Sequence, residues 1–359
     1  MLIHAGRVVA QVSPVTRGDI ALRHYFEANE WLQPPLRRAI SRAVFVYFRW
    51  VQWIAPKAPP FERVQHALEL QRRFDANPAS VKIEALAARA VPDWLREEMP
   101  ELPPGWLLQL QRDPALWLRA RPGAADALAA RLGDCERTDR SPDALRYTGR
   151  TDLFLTPEFK AGEFEIQDLA SQLVGLACAP EPGATWWDAC AGEGGKTLHL
   201  CDLMRNKGVV WGSDRHTGRL ETLKRRAKRA QLFNYRAAVW DGSAKLPTKA
   251  KFDGILVDAP CSGVGTWQRN PHARWTTTLA DVRELGARQV SLLGHVAGSL
   301  KPGGRLVYAV CTLTRAETST VVEDFSAAHP ELEPQASQTL WPHELNANGM
   351  FIAAWTRKK

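Results

Sequence analysis

ATWWDACAGEGGKTLHLCDLM (184–204) reads as an apolar strand, a glycine-rich turn and the start of a helix. Glycines at 192, 194 and 195 let the backbone approach a ligand closely and turn its amides toward it. Two familiar loops can be excluded by spacing. A Walker A loop needs glycine where Cys190 stands, and a dinucleotide fingerprint GxGxxG needs glycine at Thr197. A nucleoside-binding turn of another kind remains.

Outward from this turn, strands and helices alternate from about residue 162. Helix EFEIQDLASQLVGLA precedes the turn; strand GVVWGSD, basic helix GRLETLKRRAKRAQ, strands YRAAVWD and FDGILVDA, a helix near 279–299 and strand RLVYAV follow it. Such alternation predicts an α/β fold, Rossmann-like, with a mostly parallel doubly wound sheet. Ligands of such sheets bind at the carboxyl ends of the strands, near the switch point. Asp214, Asp241 and Asp258 each end a strand of the series, and Asp214 stands where a carboxylate grips ribose hydroxyls. The ligand this pattern suits is S-adenosyl-L-methionine.

ILVDAPCSGVGTW (255–267) and RLVYAVCTL (305–313) both end an apolar run in a cysteine. In a parallel sheet these ends are neighbours, so Cys261 and Cys311 are expected to face one crevice. The chain has 6 cysteines, without CxxC pairs or zinc-like spacing, and no metal site is expected. No secretory leader is evident and no apolar run approaches the ~18 residues a membrane helix needs. A cytoplasmic protein with reduced thiols is therefore expected.

Upstream, residues 1–90 read as helical. LRRAISRAVFVYFRWVQW (36–53) carries Phe45, Phe48, Trp50 and Trp53 at helical spacing, as core, with Arg37, Arg38, Arg42 and Arg49 offering a phosphate-facing side. Residues 91–160 read as a small α/β module with strand PALWLRAR, helix PGAADALAARL opening on proline, and strand ALRYT. Residues 161–359 form the third domain. Net charge is +8, and residues 1–150 hold 22 Lys and Arg against 17 Asp and Glu, a balance that favours an anionic partner such as nucleic acid.

DACAGEGGKT, DAPCSGVGTW and VCTL, with FEIQDLASQLV before them and NGMFIAAWTRK at the C-terminus, resemble the RsmB-like (Nop/Sun) family of RNA 5-methylcytosine methyltransferases. The helical region 1–90 is similar to a truncated NusB-like RNA-binding domain. The resemblance implies S-adenosyl-L-methionine as cofactor and methylation of cytosine C5 in ribosomal (16S) RNA, with tRNA as the alternative, by a monomer. It implies Cys311 as the nucleophile that adds to C6, Cys261 as the thiol that helps release product, Asp258 as the carboxylate at cytosine N3/N4, and Lys196 as the holder of Asp258 or of the base, with neutralising a phosphate as the alternative role. DNA cytosine methyltransferases attack with the Pro-Cys thiol, so the order of the two rests on the family.

The same resemblance gives the cofactor cradle as Cys190, Ala191, Gly192, Glu193, Gly194, Gly195 and Lys196, with Asp214 at the ribose, Asp241 near the adenine, and Asp258 completing the pocket. It also makes WQRNPHARW (267–275) an RNA-facing loop whose Arg269 and Arg274 meet phosphates. Val310 before Cys311, SDRHTGRL in the second motif and His272 depart from the usual pattern without removing a reacting group. A non-catalytic ribosome-assembly factor on this fold is the other class of reading, and it has no use for two thiols there.

Overall fold

The computed structural model describes residues 1–13 and 15–359. The chain divides into two compact units: Met1–Pro114 with Ser262–Val282, and Ala115–Cys261 with Arg283–Lys359. The boundaries read from sequence, at 90 and 160, thus fall elsewhere. Helical structure continues to Gln109, and the segment after Cys261 packs with the N-terminal helices.

The first unit contains α1 (Leu2–Gln11), α2 (Gly18–Glu27), α3 (Pro34–Trp50), α4 (Pro60–Ala76), α5 (Ile83–Arg89), α6 (Leu95–Glu98) and α7 (Pro104–Gln109). Helix α3 starts on two prolines, whose fixed φ and missing N–H suit a first turn. It buries Ile40, Val44, Tyr47 and Trp50, which recur at three- and four-residue intervals. Trp50 packs on Phe74 of α4 at 5.6 Å and donates its indole N–H to Gln71 at 2.9 Å. Phe48 and Trp50 are core, as their spacing predicted. Arg49 differs from expectation, being buried and paired with Asp113 at 2.6 Å; Arg42 reaches the same carboxylate at 3.0 Å but stays half exposed, and Arg38 is exposed.

Segment 262–282 is anchored in this unit by buried polar bonds. Arg274 is fully buried and donates to the carbonyls of Ala90, Leu110 and Trp267. Trp275 donates to Phe48 O at 2.8 Å, and Gln109 to Gln268 at 3.0 Å. Arg274 therefore does not face phosphates; only Arg269 of the pair is exposed. His272 is also buried, beside Phe45 and Phe48, and that burial pulls its imidazole down to about 4.

The second unit opens with β1 (Leu116–Ala120), α8 (Ala125–Leu132), β2 (Cys135–Arg137), β3 (Ala144–Tyr147), α9 (Pro157–Lys160) and β4 (Phe164–Ile166). Its small antiparallel sheet has the order β2-β3-β1-β4. Two local expectations are corrected here. Helix α8 starts at Ala125, because Gly123 takes a left-handed φ of 75°. The stretch read as one helix from 163 is strand β4 followed by α10 (Leu169–Cys178), with the Asp168 carboxylate capping α10 at Ala170 N, 3.0 Å.

The chain continues through β5 (Thr185–Asp188), α11 (Gly195–Leu203), β6 (Val209–Asp214), α12 (Thr217–Arg229), β7 (Tyr235–Val239), β8 (Phe252–Asp258), the greater part of α13 (Leu279–Ala297), β9 (Leu300–Val310), α14 (Ser319–Ala328), β10 (Leu332–Pro334), β11 (Gln338–Leu340), α15 (Pro342–Leu345) and β12 (Met350–Arg357). The large sheet runs β10-β12-β9-β8-β5-β6-β7, with β11 also on β12. Strands β5 to β9 are mutually parallel and β12 is antiparallel to β9. Alternate residues fill two cores. Trp186, Val210, Leu256 and Val307 pack on one face; Trp187, Ile255, Val257 and Tyr308 pack on the other. Strand order reverses between β5 and β8, which puts a crevice at their carboxyl ends.

Candidate active site

The glycine turn leaves β5 at that switch point. Ala191 N donates to Ser213 O at 2.8 Å, tying the turn to β6, and Gly194 N donates to Ala191 O at 2.9 Å. Gly192 and Gly194 take φ of 55° and 86°, which explains glycine at both. A Cβ on Gly194 would press into Leu223, whereas one on Gly192 or Gly195 would meet nothing within 4 Å. Asp214, at the end of β6, accepts from Gly192 N at 3.1 Å and from His216 N at 2.8 Å. Just past it lies an open hollow of about 490 Å³ lined by Arg215, His216, Thr217, Gly218 and Arg219. An open cradle of backbone with a carboxylate at its rim fits S-adenosyl-L-methionine.

The turn is braced from below. Glu193 is exposed, but its carbonyl accepts from Arg226 of α12 at 3.0 Å. Arg226 also pairs with Glu165 of β4 at 3.0 Å, and Arg229 and Arg121 share that carboxylate at 2.6 and 3.1 Å. Burial alone would raise the Glu165 carboxyl; the three guanidinium groups, led by Arg226, hold it below its ordinary range. Arg121 and Arg119 meet Asp202 of α11, so the small sheet grips both helices that flank the turn.

Two pairs stand at the ends of β8 and β9, where Asp258 lies opposite Ala309 in register. In the first pair Lys196 donates to Asp258 at 2.7 Å. Burial opposes charge on Lys196, but the Asp258 carboxylate outweighs it and holds the ammonium above its ordinary range, with Cys311 adding in the same sense. The second pair is Cys261 and Cys311, Sγ to Sγ 3.3 Å. A disulfide needs about 2.05 Å, so these are thiols. Burial pushes the thiols of Cys178, Cys190 and Cys201 up.

The structure therefore brings Lys196 to Asp258, Cys261 to Cys311, and Gly192 to Asp214. Asp241 is not joined to them. Strand β7 ends at Val239, short of Asp241, whose exposed carboxylate accepts from Ser243 N at 3.0 Å. Sequence reading passed over Asp188. Buried at the end of β5, it accepts from Thr197 Oγ1 at 2.7 Å, and its carboxyl is pushed up to about 7, chiefly by burial. A carboxylate closing an apolar strand was the available signal.

Comparisons with known proteins extend over this whole site. The model of the family described as 16S rRNA methyltransferase RsmB/F matches residues 175–356. The chain is 35% identical over 252 residues to a probable ribosomal RNA small subunit methyltransferase B of Bacillus subtilis, covering 65% of this chain and 56% of that protein. It is 32% identical over 285 residues to the ribosomal RNA small subunit methyltransferase B of Pasteurella multocida, covering 73% and 63%. The chain thus spans between about half and two-thirds of the length of these curated relatives. Among solved structures, a methyltransferase homologue from Pyrococcus horikoshii superposes with TM-score 0.64 at 24% identity, covering 74% of this chain and 93% of that one. NSun6 of Pyrococcus horikoshii, solved with SFG, gives 0.67 at 18%, covering 74% and 97%; these two likenesses speak for the fold. With the glycine turn, Asp214, Asp258 and both thiols all inside the matched span, the chain belongs to the 16S rRNA methyltransferase RsmB/F family.

Proposed function

We propose that this chain methylates C5 of a cytosine in RNA, 16S rRNA by the description of its family, through a covalent bond between Cys311 and C6. The observation that carries the reading is the 3.3 Å approach of two thiols at adjacent strand ends. A binding module needs neither. S-adenosyl-L-methionine supplies an electrophilic methyl group on a sulfonium.

The backbone of Cys190 to Lys196 would hold the methionine and ribose portions, Asp214 the ribose hydroxyls, and Asp241 the neighbourhood of the adenine. Cytosine C5 is a poor nucleophile until the Cys311 thiolate adds at C6, which makes C5 enamine-like. Asp258, sharing a proton with cytosine N3, eases that addition, and Lys196 keeps the carboxylate oriented. Once C5 carries its methyl group, the Cys261 thiolate accepts the C5 proton, and the C5–H electron pair re-forms the C5=C6 bond and expels the Cys311 thiolate. The base must stand clear of its stack to enter, so unpaired positions are the expected targets.

Incubating Cys261→Ala with 16S RNA transcript and S-adenosyl-L-methionine should accumulate a covalent protein–RNA adduct on a denaturing gel. Cys311→Ala should give neither adduct nor methylation while still binding S-adenosyl-L-homocysteine. Methylation that survives in Cys311→Ala would overturn the assignment. A wild-type chain that binds the RNA but never methylates it would leave the assembly-factor reading, and tRNA transcripts in parallel test the alternative substrate.

A further inference from the structure

We propose that Gln289, on α13, is a positioning residue that sets the two thiols relative to one another, and that it governs release of the RNA adduct. This inference rests on the cysteine roles given above.

Pro260 immediately precedes Cys261, and Thr312 immediately follows Cys311. One buried side chain links the two loops. Gln289 donates from Nε2 to Pro260 O at 2.9 Å and to Glu317 Oε1 at 3.0 Å. The other oxygen of Glu317 accepts from Thr312 at 3.2 Å and from Thr314 at 2.8 Å. Gln289 Oε1 lies 2.8 Å from the hydroxyl of Tyr308 of β9, which shares its one proton between that oxygen and the Glu317 carbonyl at 2.7 Å. Gln289, Glu317 and Tyr308 are all fully buried. Both N–H groups and the carbonyl of the amide are thus used, which leaves it one orientation.

Such a bridge exceeds what packing needs. A helix position facing the core is ordinarily apolar, and a buried amide is tolerated only when every bond is made. The bonds here end on the residues flanking the two thiols. The arms are also unequal. Without Gln289, the Cys311 loop keeps Glu317 through Thr312 and Thr314, while Pro260 loses its side-chain donor. Attack by Cys311 should survive better than the step assisted by Cys261, so the loss should resemble a partial Cys261→Ala.

The test uses the full chain with 16S RNA transcript and S-adenosyl-L-methionine, reading turnover together with the fraction of RNA held covalently. Gln289→Met keeps the volume and removes the bridge. It should lower turnover about tenfold, short of the ~100-fold that a 1 Å misplacement can cause, while the adduct fraction rises above wild type. Affinity for S-adenosyl-L-homocysteine should stay within about twofold, since the bridge touches no part of the glycine turn. Should Gln289→Met fail to fold, Tyr308→Phe keeps both Gln289 N–H bonds but releases Gln289 Oε1 and the Glu317 carbonyl together, and should move the adduct fraction in the same direction.

Reduced turnover without adduct, in a background where Cys261→Ala traps it, would make Gln289 a core residue only. Unchanged turnover would do the same. If Cys261→Ala traps nothing, the cysteine roles themselves fall, and this one with them.

Discussion

Lys196 Nζ and Asp258 Oδ2 stand 2.7 Å apart, with side-chain exposures of 10% and 29%. The bond joins the helix that follows the glycine turn to the strand that leads to Cys261. Because the folded ammonium is held above its ordinary value, the pair's contribution is fully present below the unfolded lysine value and fades only as pH rises through the folded one. Asp258→Asn should slow adduct formation in the Cys261→Ala background by about 10²–10⁴, the usual range for a proton-sharing group. An unchanged rate in quench-flow gels would remove Asp258 from the reaction.

The two left-handed glycines of the turn should respond differently to alanine. At Gly194 the new Cβ meets left-handed backbone and lies 2.6 Å from Leu223 Cγ. Gly194→Ala should therefore cost about 2–4 kcal/mol of stability. At Gly192 only the backbone term applies, about 1–2 kcal/mol, because its Cβ meets no neighbour. Gly192 N also donates to Asp214, the proposed ribose carboxylate, so Gly192→Ala should weaken S-adenosyl-L-homocysteine binding by calorimetry out of proportion to its modest stability loss.

Arg226 and Arg229 share the Glu165 carboxylate, but only Arg226 reaches the Glu193 carbonyl of the turn. Arg226→Gln and Arg229→Gln should therefore lower urea-unfolding stability by similar amounts, about 1–3 kcal/mol. Cofactor affinity should separate them. Arg226→Gln is expected to weaken S-adenosyl-L-homocysteine about tenfold, or about 1.4 kcal/mol, and Arg229→Gln hardly at all. Equal losses of affinity would mean that the network acts only through general stability.

These contrasts show which features can be read from a sequence. The alternation of strand and helix, and the placing of Cys261 and Cys311 at adjacent strand ends, follow from periodicity and chain order, so both were legible. Strand β4 was not: Phe164–Ile166 is too short to declare a period of two, and Asp168 marks the start of α10 only once its cap is seen. Gln289 carried no signal, because a glutamine within an amphipathic helix reads as solvated surface. Nor can sequence tell which arginine of WQRNPHARW is swallowed by its own unit, since that depends on carbonyls as distant in the chain as Ala90.

Asp188 should leave a signature in the pH dependence of stability. Its folded carboxyl is pushed up to about 7, first by burial and further by the charge of Asp258, against the bonds from Thr197 and the Cys190 backbone. A raised acid binds more protons folded than unfolded between about pH 4 and 7. Stability from this group is then fully present below pH 4 and declines toward pH 7, by at most about 1.4 kcal/mol per pH unit. Asp188→Asn removes the titration. The wild type should therefore lose stability between pH 5 and 7 relative to Asp188→Asn in urea-unfolding series, and parallel profiles would contradict the shift.

Arg274 and Arg269 lie in one short segment and should have opposite phenotypes. The Arg274 guanidinium is fully buried against the carbonyls of Ala90, Leu110 and Trp267, and burial, with Arg49 adding, holds it well below its ordinary value. Removing it leaves three acceptors without a charged donor, so Arg274→Ala should destabilise by about 3–5 kcal/mol. It touches no solvent-facing phosphate site, so the slope of log affinity for RNA against log salt should stay as in wild type. Arg269 is exposed, and Arg269→Ala should change stability by about 0.5 kcal/mol or less. If Arg269 meets an RNA phosphate, its loss should reduce that salt slope by about 1. A shallower slope in a folded Arg274→Ala chain would contradict the buried assignment, because a guanidinium spent on backbone carbonyls has no counterion to release.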